Sequence, residues 1–325
     1  MLRAVAMLSL LILLAAPGPA RTEAARVHRI GYLSPWFSTS DPVQRLALLE
    51  GLRTRGYREG EEFVFESRYA EGRLGQLPEL AAQLVERKVD VLIAVSTLAG
   101  LAAKAATTSI PIVVASGGDM LASGLVADPA RPGGNVTGIQ LLSPELALRQ
   151  LEIITQLVPG ATRLAFFGNP DLPSEIAFFN ALERRAASSR RTVRLVPVKA
   201  EADYRVAFLR LVEERVQALL VGASATQLDP SRSIVRLMAQ NKIPALYPGR
   251  QFVEAGGLTS YFAHPGDQGR LVATYVDKIF RGARPGDLPV EQYTKYELVI
   301  NLRTARTLGL TIPSALREQA ASLVP

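Results

Sequence analysis

The stretch Asp90-Val91-Leu92-Ile93-Ala94-Val95-Ser96-Thr97 decides how the chain is read. Val91 to Val95 is an unbroken apolar run with no polar alternation. That pattern fits a strand buried on both faces, as in a parallel sheet covered by helices. Ser96-Thr97 follows, and Leu98 to Ala106 has helical composition. A second apolar strand, Ile110 to Ala115, ends in Ser116-Gly117-Gly118-Asp119. Upstream, Arg29 to Leu33 predicts a strand closed by Ser34-Pro35. Asp41-Pro42 opens a helix, because Asp can cap free N–H groups and Pro suits the first helical position. Leu46, Leu49 and Leu52 recur at helical spacing, and Gly56 stops the helix. Glu62 to Tyr69 is β-rich and Leu77 to Val85 helical.

Downstream the alternation starts again. Helices are predicted over Pro144–Leu157, Ser174–Ala187 and Asp203–Arg215, and Asp229-Pro230 repeats the Asp-Pro opening. Strands are predicted over Arg163–Phe167, Val193–Val198, Ala218–Val221 and Pro244–Tyr247. Two successive β-α-β-α runs read as two doubly wound parallel-sheet lobes of an α/β protein. Gly133 to Gly138 is expected to form the first crossover between them. Leu258 to Tyr261 and Leu298 to Asn301 are extended pieces around an amphipathic helix, Gln268 to Phe280. Three linking segments make a hinge. The expected division is residues 26–138 with 262–288 in one lobe, and 139–261 with 289–325 in the other.

The first residues read as an address. Met1-Leu2-Arg3 is positive, Ala4 to Ala16 is apolar and uncharged, and Pro17-Gly18-Pro19-Ala20 supplies small residues, which is the pattern of a secretory signal peptide over residues 1–25. The run is shorter than the roughly 20 residues a membrane helix needs. A soluble, exported, periplasmic-type mature protein is expected. The chain has no cysteine, so a thiolate metal site, a disulfide framework, a cysteine nucleophile and a lipid-modified cysteine are excluded. With two histidines, His28 and His264, there is little material for a multi-histidine metal site or a Ser-His-Asp machine. No G-x-S-x-G elbow occurs. Gly117-Gly118 and Gly133-Gly134 lack phosphate-loop spacing and read as turns. The formal charge of +7 comes without a dense basic block, so no nucleic-acid partner is expected.

Several segments in order carry a family resemblance. They are Gly31-Tyr32-Leu33-Ser34, Gly51-Leu52-Arg53-Thr54-Arg55-Gly56-Tyr57, Arg131-Pro132-Gly133-Gly134-Asn135-Val136-Thr137-Gly138 and Gly256-Gly257-Leu258-Thr259-Ser260-Tyr261. The tail adds Leu288-Pro289-Val290-Glu291-Gln292, Tyr296-Glu297-Leu298-Val299-Ile300-Asn301 and Leu308-Gly309-Leu310. With these the chain resembles the substrate-binding proteins of ABC transporters, in the tryptophan/tyrosine-binding-like subgroup, with the type I periplasmic-binding fold. The resemblance implies two lobes closing on a small solute. It also implies delivery to a membrane permease with a cytoplasmic ATPase, by a monomeric protein with no catalysis and no cofactor. The chain departs at Phe262, where many relatives have glycine after the Ser-Tyr pair. A ligand-sensing module feeding a receptor would use the same fold, and an exported α/β enzyme is the remaining alternative.

Open parallel sheets bind ligands beyond the carboxyl ends of their strands. That rule selects Ser34, Ser96, Thr97, Ser116 and Asp119 in the first lobe. In the second it selects Asn169, Asp171, Ser224 and Tyr247, with Tyr261 at the hinge. Ser96-Thr97 at a helix start offers hydroxyls and free N–H groups to a carboxylate, or is simply a helix cap. Asp119 and Asp171 are the candidates to face an ammonium group, with capping as the other reading of Asp119. Asn169 can bond a ligand or turn the chain before Pro170. Tyr247 and Tyr261 can stack on a flat solute or pack between lobes. Trp36-Phe37 is a candidate apolar wall, and His28 reads as a surface residue. The expected solute is an amino acid or related carboxylate.

Overall fold

The computed structural model describes residues 27–38, 42–199, 201–224 and 231–325. The expected leader, the Asp41 cap and the Asp229-Pro230 helix opening lie outside the described residues. The first lobe is built from β1 (His28–Ser34), α1 (Pro42–Arg53), β2 (Phe63–Tyr69), α2 (Leu77–Glu86), β3 (Val91–Ala94), α3 (Thr97–Ala106), β4 (Ile112–Gly117) and β5 (Val136–Gln140). Every residue of β3 is buried, because β3 runs between β1 and β4 with helices on both faces.

The second lobe starts at α4 (Pro144–Leu157), which Ser143 caps by accepting the Leu146 N–H. Then come β6 (Arg163–Gly168), α5 (Pro173–Ser188), β7 (Thr192–Pro197), α6 (Tyr204–Glu213), β8 (Ala218–Val221), α7 (Ser231–Gln240), β9 (Ala245–Tyr247), α8 (Arg250–Glu254) and β10 (Thr259–Ala263). The chain next returns to the first lobe as α9 (Pro265–Phe280) and β11 (Glu291–Gln292). It ends in the second lobe with β12 (Tyr296–Asn301), α10 (Leu302–Thr307), α11 (Ser314–Gln319) and β13 (Ser322–Val324). The sheet orders are β11-β5-β4-β3-β1-β2 and β13-β12-β10-β9-β8-β6-β7. All pairings are parallel except β10 with β12.

Several details depart from the sequence reading, among them residues 139–140, which lie on the first sheet, and residues 262–263, which lie on the second. Gly133 to Gly138 is not a crossover: its second half is β5, an inner strand of the first sheet. Gly138 sits there at φ +142°, where a Cβ would strike the backbone of Val114 on β4. The first crossover is instead the short link between β5 and α4. Residues 289–292 fall in the first lobe rather than the second, because β11 pairs with β5 and Gln140 Nε2 donates to Gln292 Oε1 at 3.0 Å.

Helix α9 packs on α1 with almost no side chain between the two backbones. A Cβ on Gly269 would collide with the Gln44 carbonyl, and one on Gly51 would lie 2.7 Å from Ala273 Cβ. The apolar faces of these helices, with Leu48, Leu52, Val272 and Val276, cover one side of the first sheet. His28 is not a free surface residue: its ring stacks on Phe280 at the end of α9, centroids 3.9 Å apart.

The hinge is cross-tied by tyrosines. The Tyr296 hydroxyl shares its one proton between the Leu141 carbonyl at 2.8 Å and the Tyr293 carbonyl at 2.6 Å, and Tyr293 donates to Asp267 at 3.1 Å. These bonds link all three crossovers.

Candidate functional site

A cavity of about 520 Å³ lies between the lobes, within the usual range for a small-molecule site. Its first-lobe wall comes from the ends of β3 and β4 and the starts of α1 and α3. Trp36, Gln44, Ser96, Thr97, Ser116 and Gly118 face it. From the second lobe come Leu172, Ser174, Glu175, Ser224 and Arg250. Phe262, His264 and Gln268 line it where the chain crosses between lobes.

Ser96 is the N-cap of α3, and its Oγ accepts the Ala99 N–H at 3.3 Å. Its backbone is held at φ +113°, ψ 165°, a region normally reserved for glycine. Such strain costs of order 1–3 kcal/mol, and it persists where the surroundings hold a residue in place. Thr97 Oγ1 accepts the Gly118 N–H at 2.8 Å, so its hydroxyl proton is free to donate. The first N–H groups of the helix have no intrahelical acceptor, and the helix dipole favours an anion there. Hydroxyls and N–H groups together suit a carboxylate.

Ser116 belongs to a neutral hydrogen-bonded wall. Its Oγ donates to Gln268 Oε1 at 2.6 Å and receives Gln44 Nε2 at 3.0 Å. Gln268 also reaches the Ala263 carbonyl at 3.4 Å, which ties this wall to the second crossover. His264 caps α9 through Nδ1, which accepts the Gly266 N–H at 3.0 Å.

Glu175, in the first turn of α5, is 2% exposed. Its Oε2 accepts the Asn169 N–H at 2.6 Å, while Oε1 is buried without a hydrogen bond. Burial pushes its carboxyl up to about 7, against the opposing pull of the Asn169 N–H and of the Ser224 N–H and hydroxyl. The site therefore holds an acid that titrates near neutrality.

Of the residues selected from sequence, Ser96, Thr97, Ser116 and Ser224 meet on the cavity wall. The other six lie off it. Ser34 is fully buried, and its Oγ accepts the Trp36 N–H at 3.2 Å. Asp119 caps the next turn through the Leu121 and Ala122 N–H groups. Asn169 turns the chain, its Oδ1 taking the Asp171 N–H. Asp171 pairs with Lys199 at 2.8 Å on the surface. Tyr247 is a core residue stacked on Phe252 with centroids 5.2 Å apart. Tyr261 packs against Tyr296 in the hinge. Trp36 lines the cavity, while Phe37 is exposed.

Sequence reasoning missed Glu175, Gln44, Gln268 and the Gly118–Ser174 contact. The strand-end rule stopped at Asp171. Carried four residues further, through Pro173-Ser174-Glu175 at the start of a helix, it would have reached the acid. Gln44 and Gln268 gave no signal, because a glutamine inside an amphipathic helix looks like its solvent face.

A family model described as ABC transporter substrate binding protein matches residues 42–324. The chain is 24% identical to a tyrosine-binding protein of Clostridioides difficile (strain R20291), over 91% of this chain and 85% of that one. Among solved structures, an ABC domain from Streptococcus pneumonia in complex with L-Trp superposes with a TM-score of 0.86 at 24% identity, covering 92% of this chain and all of that one. A conserved domain protein of Vibrio cholerae gives 0.86 at 27% identity, with the same coverage.

Proposed function

We propose, for a chain that belongs to the ABC transporter substrate-binding protein family, that it is the extracytoplasmic component of an importer and closes its lobes on an amino acid or related carboxylate. The observation that carries this reading is the pairing of Ser96 and Thr97 at the start of α3, on the wall of the interlobe cavity. The solute's carboxylate rests on their hydroxyls and the first N–H groups of the helix. Trp36 and Phe262 supply the apolar wall for its side chain. Such a site needs orientation and water exclusion but no bond making, so the protein is not an enzyme. The relatives named for tyrosine and L-Trp support an amino acid with a flat ring.

The loaded protein hands its solute to a membrane permease driven by a cytoplasmic ATPase, acting as a monomer freed of residues 1–25 by signal peptidase. A thermal-shift screen against amino acids, nucleosides and small organic acids tests the reading. Stabilisation by one or more amino acids is expected. A response confined to uncharged nucleosides or sugars would overturn it.

A further inference from the structure

We infer that Glu175 selects a cationic nitrogen on the solute, so that the cavity takes an acid bearing an amine and discriminates against the same acid without it. This rests on the amino-acid reading above. Among the described residues, three charged side chains line the cavity: Glu175, Arg250 and Glu254. Arg250 and Glu254 answer each other at 3.0 Å, and Arg250 also lies 3.7 Å from Glu297. Glu175 has only neutral donors around it, and its Oε1 makes no hydrogen bond. A buried carboxylate without a countercharge is costly, and it stays buried where a partner arrives from outside.

The neighbours of Glu175 within its lobe offer no such partner. Among the described residues they include Gln150 of α4, Phe166 of β6, Asn169, Phe178 of α5, Ser224 and Phe262 of β10, none of them ionisable. On the rest of the wall the titratable groups among the described residues are the Arg250–Glu254 pair and His264. Placement across the cleft fits as well. Thr97 holds the Gly118 N–H, Gly118 abuts Ser174, and Ser174 precedes Glu175. The acid thus stands one residue from the contact that begins at the proposed carboxylate site. An α-amino acid carries its two charges on one carbon, and Ser96, Thr97 and Glu175 line the same cavity from its two sides. The empty site holds Glu175 near its midpoint at neutrality, so taking up a cation fixes the carboxylate and releases a proton.

The test is isothermal titration with matched probes on wild type and Glu175→Gln at pH 6 and pH 8. The probes are L-tryptophan, indole-3-propionic acid (no amine) and tryptamine (no carboxylate), with the corresponding tyrosine and leucine sets. Wild type should prefer the amino acid over its des-amino acid by at least about tenfold at pH 8. Its amino-acid affinity should fall about tenfold at pH 6, as the carboxyl protonates. Glu175→Gln keeps an acceptor for the Asn169 N–H, and its melting temperature checks folding. In it both differences should collapse. Des-amino acids that bind wild type as tightly as the amino acids would overturn the Glu175 assignment and leave the carboxylate reading standing. Amines that bind without either acid would sink the carboxylate reading and keep Glu175. Binding by no amino acid in any set would overturn both.

Discussion

Gly118 and Ser174 meet across the cleft: a Cβ built on Gly118 would lie 2.5 Å from both Cβ and Oγ of Ser174. Gly118 follows β4 of the first lobe and Ser174 opens α5 of the second, so this contact brings the two lobes together. No side chain larger than hydrogen fits on the first-lobe side without pushing the lobes apart.

Gly118→Ala should therefore hold the cleft ajar. Its backbone conformation is open to alanine, so stability of the empty protein should change by less than about 1 kcal/mol. Affinity for the cognate solute should fall at least about tenfold. Small-angle scattering at saturating solute should show a larger radius than wild type. Equal radii and equal affinities would mean that closure does not depend on this approach.

Ser96→Gly separates strain from binding. Glycine adopts φ +113° freely and loses only a few tenths of a kcal/mol as a cap, so the empty protein should gain about 1 kcal/mol or more. Removing a hydroxyl that bonds a charged group should weaken solute binding by about 1.5–3 kcal/mol. Thermal melts and titration calorimetry read the two effects separately. A variant that gains stability and binds normally would reduce Ser96 to a helix cap.

Glu175 makes the empty protein's stability depend on pH. Its folded carboxyl, at about 7, lies above the ordinary value of 4.5, so the folded state binds the extra proton. Its contribution is whole below about pH 4.5 and is lost as pH rises through 7. The loss is about 3 kcal/mol in all. Urea titrations of wild type and Glu175→Gln should show the variant gaining on wild type between pH 5 and 8. Parallel curves would mean the acid is not held protonated.

Tyr247→Phe should leave solute affinity unchanged, because Tyr247 lies off the cavity and packs on Phe252. Tyr247→Ala should cost about 3–5 kcal/mol of stability. Calorimetry on the first variant and denaturant melts on the second check this; weaker binding by the first would return Tyr247 to the site.

Intact-mass analysis of exported protein should find a mature start between Arg21 and Val27. Retention of Met1 in a membrane fraction would point to an anchor instead.

The alternation of apolar runs with helical segments was legible because a strand buried on both faces leaves an unbroken apolar signature, as in Val91 to Ala94. The place of Glu291–Gln292 on the edge of the first sheet was not, because a two-residue strand carries no pattern that tells which sheet it joins. At the site, Ser96, Thr97, Ser116 and Ser224 follow from topology alone, since they end strands or begin the segments just after them. Asp119 and Asp171 satisfied the same rule yet spend their carboxylates on a turn and on Lys199. Only the tertiary packing distinguishes them from Glu175, which sits in the first turn of α5.

The clasp of α9 on α1 sets an order of assembly. The first lobe holds the earliest described residues, but one face of its sheet stays partly uncovered until residues 265–280 have arrived from beyond most of the second lobe. Loops that long are closed late, at an entropic cost that local contacts avoid. The second lobe has most of its sheet in one continuous stretch and can condense first. The amino-terminal half is then the last to mature: a chain cut short before Pro265 would present Leu48 and Leu52 to solvent and associate through them rather than fold.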